Sequence, residues 1–340
     1  MNFQKSIIFF FYFFLAGTVA TANCLTFDEN ERLSNFCILE SVKDTILDEH
    51  TALNLALKLK REGYFGGLKT SDWSTTVYPE IGYSSNINGG NPNKPLVLGG
   101  LDFWGDPNLI KQDGIVSTLQ LRANNRSTFD EGKYLQTDLY ASYSYSPKYN
   151  NSFSNAGIES CFSDKITLKN SIDICASSSL QNKEISENRS NTLSLNFGNL
   201  SFNENIGFSE GKLGIIHLGS DEYSQNQLVL SWDTIHRKNL FSAIRFRIGD
   251  PVNDQLALRY GLDINISKII MNRKISLKLS NEINDGGILF GIDRSDVINK
   301  LNLQTVISQN ASIQVGYTSH NSSIDYFDEN YPTLSLTMSW

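Results

Sequence analysis

The chain has 340 residues, of which 40% are hydrophobic and 19% charged, and its formal net charge is −7. Lysine and arginine are scattered rather than gathered into a basic stripe, which excludes a typical nucleic-acid-binding protein. No stretch reaches the roughly 20 consecutive apolar residues of a transmembrane helix, which excludes a helical membrane protein. The length allows one large barrel or about two ordinary soluble domains.

The first 22 residues have the pattern of a secretory signal peptide. Lys5 gives a basic start, residues 7–17 form a Phe-rich apolar core, and residues 20–22 read Ala-Thr-Ala, a typical cleavage site. We therefore predict cleavage between Ala22 and Asn23 and passage through an oxidising compartment.

Residues 23–66 are the one part of the chain with helical spacing of apolar residues. Leu33, Phe36 and Cys37 begin this pattern, and it continues to about residue 62. The sequence predicts one or two short amphipathic helices on the periplasmic side, and it leaves open whether they form a plug or a linker.

From Trp73 onward the hydrophobic period is two, and clusters of Gly, Asn, Asp and Ser interrupt it about every 10 to 15 residues. We count about 14 to 16 candidate strands, among them 96–104 and 287–293. Because an open sheet would leave backbone groups unpaired in hydrocarbon, the prediction for residues 67–340 is a closed antiparallel transmembrane β-barrel of about 14 strands. A large secreted β-sandwich is the alternative.

The last strand supports the barrel. Its apolar side chains alternate with hydroxyl side chains, and the segment resembles the terminal strand of Gram-negative outer-membrane barrels. The apolar set, predicted to be the C-terminal signal read by the barrel assembly machinery, is Leu334, Leu336, Met338 and Trp340.

Charged residues fall repeatedly on the polar face of the predicted strands. In a barrel this face lines the lumen, whereas in a soluble sheet it would meet solvent. The predicted lumen-facing residues are Asp138, Arg245, Arg247, Arg259, Asp263 and Lys278.

The strand alternation slips at Gly198-Asn199, where the apolar positions change from odd to even numbers, and a bulge or a turn there would account for it. Residues 83–90, which read Y-S-S-N-I-N-G-G, predict a hairpin turn, with a functional external loop as the alternative.

The four cysteines form two close pairs in sequence, Cys24 with Cys37 and Cys161 with Cys175. In an exported protein they predict two local disulfides, each suited to pinning a long loop. Neither pair has C-x-x-C spacing, so we expect no metal site and no cofactor.

A hint of catalysis lies at His320-Asn321-Ser322, where an imidazole and a hydroxyl share one strand face. This H-x-S pairing resembles that of outer-membrane lipid A deacylases. The other features of that family are not evident and the chain is much longer, so we predict that the protein is not an enzyme.

The order of parts resembles the surface lipoprotein assembly modifiers. A short helical piece, Y-S-S-N-I-N after the first strand and the segment S-H-N-S-S-I-D-Y-F-D-E-N-Y-P-T-L-S-L-T-M-S-W at residues 319–340 carry the resemblance. It implies an outer-membrane barrel that helps bring lipoproteins or other proteins to the cell surface, with membrane lipid and a client lipoprotein as partners. Family members carry a long periplasmic helical-repeat domain, which only some 40 residues replace here. A passive pore for small solutes is the alternative.

Overall fold

The computed structural model describes Cys24, Phe27, residues 29–42, Leu53 and residues 70–339, except for residues 131, 238, 272 and 309. The predicted signal peptide, its cleavage site at Ala22 and Asn23, and Trp340 lie outside the described residues. No helix in the described part of the chain has the length and apolar character needed to cross a membrane.

The fold is a closed antiparallel barrel of fourteen strands. The prediction of a closed barrel is confirmed. The barrel strands are β1 (Thr70–Ser84), β4 (Gly114–Asp130), β5 (Lys133–Ser146), β6 (Asn151–Lys165), β7 (Asn170–Asn182), β8 (Glu187–Asn203), β9 (Gly207–Ser220), β10 (Ser224–His236), β11 (Leu240–Gly249), β12 (Ala257–Ile270), β13 (Arg273–Leu289), β14 (Ile292–Ser308), β15 (Ala311–Ser322) and β16 (Glu329–Met338). Their order around the ring is β1-β16-β15-β14-β13-β12-β11-β10-β9-β8-β7-β6-β5-β4.

Two of the candidate strands are not strands of the barrel. The segment 96–104 forms a small separate hairpin of β2 (Leu96–Leu98) and β3 (Leu101–Phe103). The segment 287–293 is the junction of β13 and β14, which meet in a tight turn. The turn-forming residues 284–287 predict a strand end, but they lie at a register shift within β13.

The two ends of the barrel differ. At one end every hairpin connection has between two and four residues, and we call this the turn end. At the other, the loop end, the connections include the long segment 85–113. In outer-membrane barrels the periplasmic turns are short and the external loops longer, so the turn end corresponds to the periplasmic side.

The outer face of the wall carries a broad band of exposed apolar side chains. Leu213, Leu230 and Phe246 are aligned neighbours on β9, β10 and β11, and all three are exposed. Their neighbours along each strand point to the lumen and are mostly polar, because strand side chains alternate. A closed sheet with this polarity is one of the two architectures that span a bilayer, and it places the chain in the outer membrane.

Helix α1 (Glu31–Val42) lies inside the barrel at the turn end. Its segment contacts Arg126 on β4, Glu210 on β9 and Lys274 on β13, strands that lie far apart around the ring. Only an element within the lumen can reach all three. The predicted helical segment thus lies within the turn-end opening, as a plug rather than a linker.

Candidate functional site

The candidate site is the barrel lumen together with the two segments that lie at its openings. At the turn end this is the plug segment, which we define as Cys24, Phe27 and residues 29–42. Its apolar side packs on a patch of wall residues, and the resulting core cluster consists of Cys24, Phe27, Leu33, Phe36, Cys37, Ile38, Leu200, Phe208, Ile235 and Phe241. Phe36 meets Phe208 edge-to-face at 6.0 Å between ring centroids.

This contact explains the slip in alternation at Gly198-Asn199. Strand β8 pairs without a register shift with both neighbours, so the predicted bulge or turn is wrong. The slip arises because Leu200 and Phe202 are apolar residues on the lumen face, where Leu200 packs against the plug segment. The pattern records a second apolar surface inside the barrel.

Charged contacts hold the polar side of the plug segment. Arg32 Nη2 lies 2.6 Å from Asp173 Oδ1, and Arg32 Nη1 lies 3.2 Å from Oε1 of the fully buried Glu210. Arg32 also donates to the hydroxyl of Ser171. Burial alone would lower the pKa of Arg32, but Glu210 and Asp173 outweigh it and raise that pKa above its ordinary value. The guanidinium therefore stays charged within the lumen.

Three more wall residues bind the same segment. Asn30 donates to Glu210 at 2.5 Å and to Asp233 at 2.7 Å. Glu31 pairs with Arg126 at 2.7 Å, and Glu29 pairs with Lys274 at 3.0 Å. Because these partners lie on β4, β9, β10 and β13, the segment is tied to the wall in several directions.

Both predicted disulfides are present, but neither pins a long loop. Cys24–Cys37 joins the start of the plug segment to α1 and is part of its apolar core. Cys161 and Cys175 are aligned residues of the neighbouring strands β6 and β7, whose connection is short. Their disulfide therefore cross-links two strands of the wall. Glu159 lies close to both sulfur atoms, yet oxidised cysteines are not thiolate metal ligands.

The residues predicted to face the lumen can now be placed. Arg245 on β11 and Asp263 on β12 are aligned partners. Arg245 lies two positions along its strand from a wall residue that packs against the core cluster of the plug segment. Asp263 forms an ion pair with Arg247 at 3.1 Å and accepts a hydrogen bond from Ser280 at 2.7 Å. Lys278 shares with Arg245 the lining of a cavity of about 450 Å³ beside the plug segment.

The remaining two predicted residues are Asp138 and Arg259. Asp138 accepts from Asn124 at 2.6 Å and lines a second cavity, of about 590 Å³. Arg259 lies at the register shift between Leu258 and Tyr260 and donates to the carbonyl of Gly249 at 3.0 Å. That these residues line a conducting pathway stays a prediction.

At the loop end, residues 85–113 reach from β1 to the connection between β7 and β8 and cover part of the opening. Ile87 and Asn88 of this segment are buried, and Asn88 binds the backbone of Ile110 and Gln112. The carbonyl of Asn88 accepts from the amide of Ile185, in the connection between β7 and β8. The prediction of a hairpin turn at 83–90 is therefore wrong, because the chain runs as far as the connection between β7 and β8 before it returns to the neighbouring strand β4 at Gly114.

The H-x-S pair lies on the same strand face, as predicted, but its contacts do not favour catalysis. His320 Nε2 and Ser322 Oγ each bind the buried carboxylate of Asp296 at 2.7 Å. Arg294 binds the same carboxylate at 2.7 Å. Asp296 thus lies between the imidazole and the hydroxyl, whereas activation of a serine needs the imidazole between them. The cluster joins β14 to β15.

The sequence did not predict the residues that hold the plug segment to the wall. Arg32, Asp173 and Glu210 lie in three distant parts of the sequence, and nothing in their spacing pairs them. The apolar lumen-face residues of β8 did leave a signal, the slip in alternation, but its meaning needed the helix that covers them.

No protein-family model matches the chain, and no curated protein matches it. Among solved structures, OccAB2 of Acinetobacter baumannii is 8% identical with a TM-score of 0.40, and the alignment covers 79% of this chain and 98% of that one. For OccK11 (OpdR) of Pseudomonas aeruginosa the values are 8%, 0.43, 81% and 99%. For CdiB of Acinetobacter baumannii they are 10%, 0.43, 85% and 68%. At these TM-scores the similarities carry no argument about the function of this chain.

Proposed function

We propose that this protein is a gated outer-membrane channel that passes small hydrophilic solutes when the plug segment leaves the lumen. The observation that carries the proposal is the way α1 is held. Beside the apolar contact around Phe36, ion pairs and hydrogen bonds to Asp173, Glu210 and Arg126 anchor this short helix in the lumen. Such contacts can be exchanged for water one at a time, unlike a wall strand.

Two cavities in the lumen, with charged and amide side chains in their linings, support a route for solutes. The cavity of about 590 Å³ is lined by side chains of β1, β4, β5 and β6, among them Arg122, Asp138 and Glu159. The cavity of about 450 Å³ lies against the opposite wall. Mixed charges and amides of this kind favour hydrated solutes over apolar ones.

Liposome swelling tests this channel. Proteoliposomes containing the wild type should admit a small sugar slowly, and those with Arg32→Ala should admit it at least ten times faster. The control is Arg189→Gln, which removes an exposed arginine whose ion pair with Glu187 lies outside the plug contact. Equal, slow swelling by correctly folded wild type and Arg32→Ala would refute the proposal.

The second candidate is the export of lipoproteins implied by the resemblance to the surface lipoprotein assembly modifiers. The helical segment expected to handle a client is here enclosed by the barrel, so it would have to leave the lumen first. Protease shaving of intact cells, followed by proteomics of wild type and deletion strain, tests this role. Loss of specific lipoproteins from the surface with unchanged totals supports it, and an unchanged surface counts against it.

A further inference from the structure

The seam that closes the barrel, between β1 and β16, is much shorter than the others. Only three aligned pairs join these strands in the described part of the chain, from Glu80 opposite Thr337 to Gly82 opposite Ser335. Each of the other thirteen neighbouring pairs of barrel strands has between nine and fifteen aligned residues. The ladder is therefore weakest where the first and last barrel strands meet.

The same two strands carry the prolines of the barrel wall. Pro79 lies in β1 and Pro332 in β16, and the other five prolines lie outside the barrel strands. Proline has no backbone N–H to donate to a ladder, and within sheets it is confined mainly to edge strands, strand starts and bulges. Two wall strands thus have the composition of edge strands, and they are the two that flank the short seam.

Two lysines fasten this seam at the loop end. Lys94 and Lys111 belong to the segment that follows β1, and both reach the chain around the start of β16. Lys94 Nζ donates to the carbonyls of Asp325 and Asp328, the latter at 2.9 Å, and Lys111 Nζ lies 2.7 Å from a carboxylate oxygen of Glu329. These contacts bridge the seam without belonging to the ladder.

We propose that the β1–β16 seam opens sideways and lets an acylated polypeptide leave the lumen with its acyl chains in the membrane. The lumen is polar and the outer face apolar, so a substrate with a hydrophilic chain and acyl chains needs both environments. Opening any other seam would expose nine or more aligned pairs to hydrocarbon, where no water replaces their hydrogen bonds. The nature of the substrate rests on the export role above, whereas the opening itself does not.

Hydrogen exchange measured by mass spectrometry tests the opening. In the purified protein in nanodiscs, backbone amides of residues 80–84 and 333–338 should exchange at least ten times faster than those of β10 and β11. Lys94→Ala with Lys111→Ala should increase that exchange further. Lys148→Ala, a lysine of another external connection, is the control and should change nothing. Equal protection of the seam and of β10–β11 would overturn the opening.

A disulfide lock tests the passage. Glu80→Cys with Thr337→Cys joins aligned residues across the seam, and Gln120→Cys with Ser142→Cys joins aligned residues of β4 and β5 as a control. The probes are a fluorescent diacylated cysteine peptide and the same peptide without acyl chains, each followed across proteoliposomes in an Arg32→Ala background. The seam lock should reduce transfer of the acylated peptide at least ten-fold and leave the other peptide unaffected.

Two outcomes would overturn the lateral passage. One is equal transfer of the acylated peptide with and without the seam lock. The other is no transfer of this peptide by the unlocked protein. If the non-acylated peptide still crosses in either case, the channel proposed above stands, so the two proposals fail separately.

Discussion

Arg32 and Asp173 form the ion pair that fixes the plug helix to the barrel wall. Their charged groups are 2.6 Å apart, and both side chains are more than four-fifths buried. Glu210, which is fully buried, shares the same guanidinium at 3.2 Å. One guanidinium on the helix therefore neutralises carboxylates on two different strands. Its removal would leave the negative charges of both carboxylates less well balanced inside the lumen.

Replacing Arg32 with alanine should release the plug segment. Removing one partner of a buried ion pair costs about 3 kcal/mol, which corresponds to roughly a 100-fold shift in the plugged equilibrium. We expect frequent openings in planar-bilayer recordings where the wild type is mostly closed. Arg189→Gln should behave like the wild type. Unchanged closure of Arg32→Ala would show that the ion pair does not hold the plug.

Leu200→Asn tests whether the slip in alternation marks the plug contact. Leu200 is 3% exposed and packs in the cluster around Phe36. Asparagine at this position would remove apolar burial worth about 2 kcal/mol. It would also bury an amide without a hydrogen-bond partner. Plug release should increase, while the barrel itself should keep its thermal stability, because the backbone pairing of β8 is unaffected. Trypsin access to Arg32, read by mass spectrometry, measures the release. No increase in cleavage would contradict this reading of the pattern.

The sequence predicts the wall of this protein far better than its contents. Alternation specifies each strand because one face meets lipid along its whole length, as at Leu230 and Phe246. The contacts of Arg32, by contrast, join residues more than a hundred positions apart and follow no period. Where the two kinds of constraint meet, at Leu200, the alternation breaks, and a bulge was the natural but wrong explanation.

Gly89→Ala should detach the segment 85–113 from the loop end. Gly89 has φ +80°, and an added Cβ would lie 2.2 Å from Oγ of Ser186 in the opposite connection. Gly99→Ala is a matched control, because Gly99 also has a positive φ, of +59°, but has no neighbour within 4 Å of an added Cβ. Both variants carry the strain of a left-handed residue, about 1 kcal/mol, and only Gly89→Ala adds the clash.

Limited proteolysis of residues 85–113 measures that detachment. Cleavage should be several times faster in Gly89→Ala than in Gly99→Ala. If the two variants are cleaved at the same rate, the contact with Ser186 does not position this segment.

The docking of the segment 85–113 should strengthen at alkaline pH through Lys183. This lysine, in the connection between β7 and β8, donates to the carbonyl of Asn86 at 2.9 Å, and burial lowers its pKa from the ordinary 10.5. Between the lowered pKa and pH 10.5, Lys183 is protonated when the segment is released and neutral when it is docked. The docked state therefore becomes more stable as the pH rises through this window. Below that window the contribution is constant.

Subtilisin cleavage of residues 85–113, compared at pH 8 and pH 10.5 and corrected with a peptide substrate, measures this effect. The wild type should be better protected at the higher pH, and Lys183→Met should abolish the difference. A pH dependence that persists in Lys183→Met would assign the effect to another group.

The most direct test of the plugged channel is the single-channel conductance of wild type and Phe36→Asp in a planar bilayer. Phe36 is 6% exposed in the apolar contact with Phe208, so a carboxylate there should expel the plug segment from the lumen. We expect rare openings of the wild type and long-lived, stable conductance steps of the variant. A Phe36→Asp variant that forms the same heat-modifiable barrel and remains silent would contradict it.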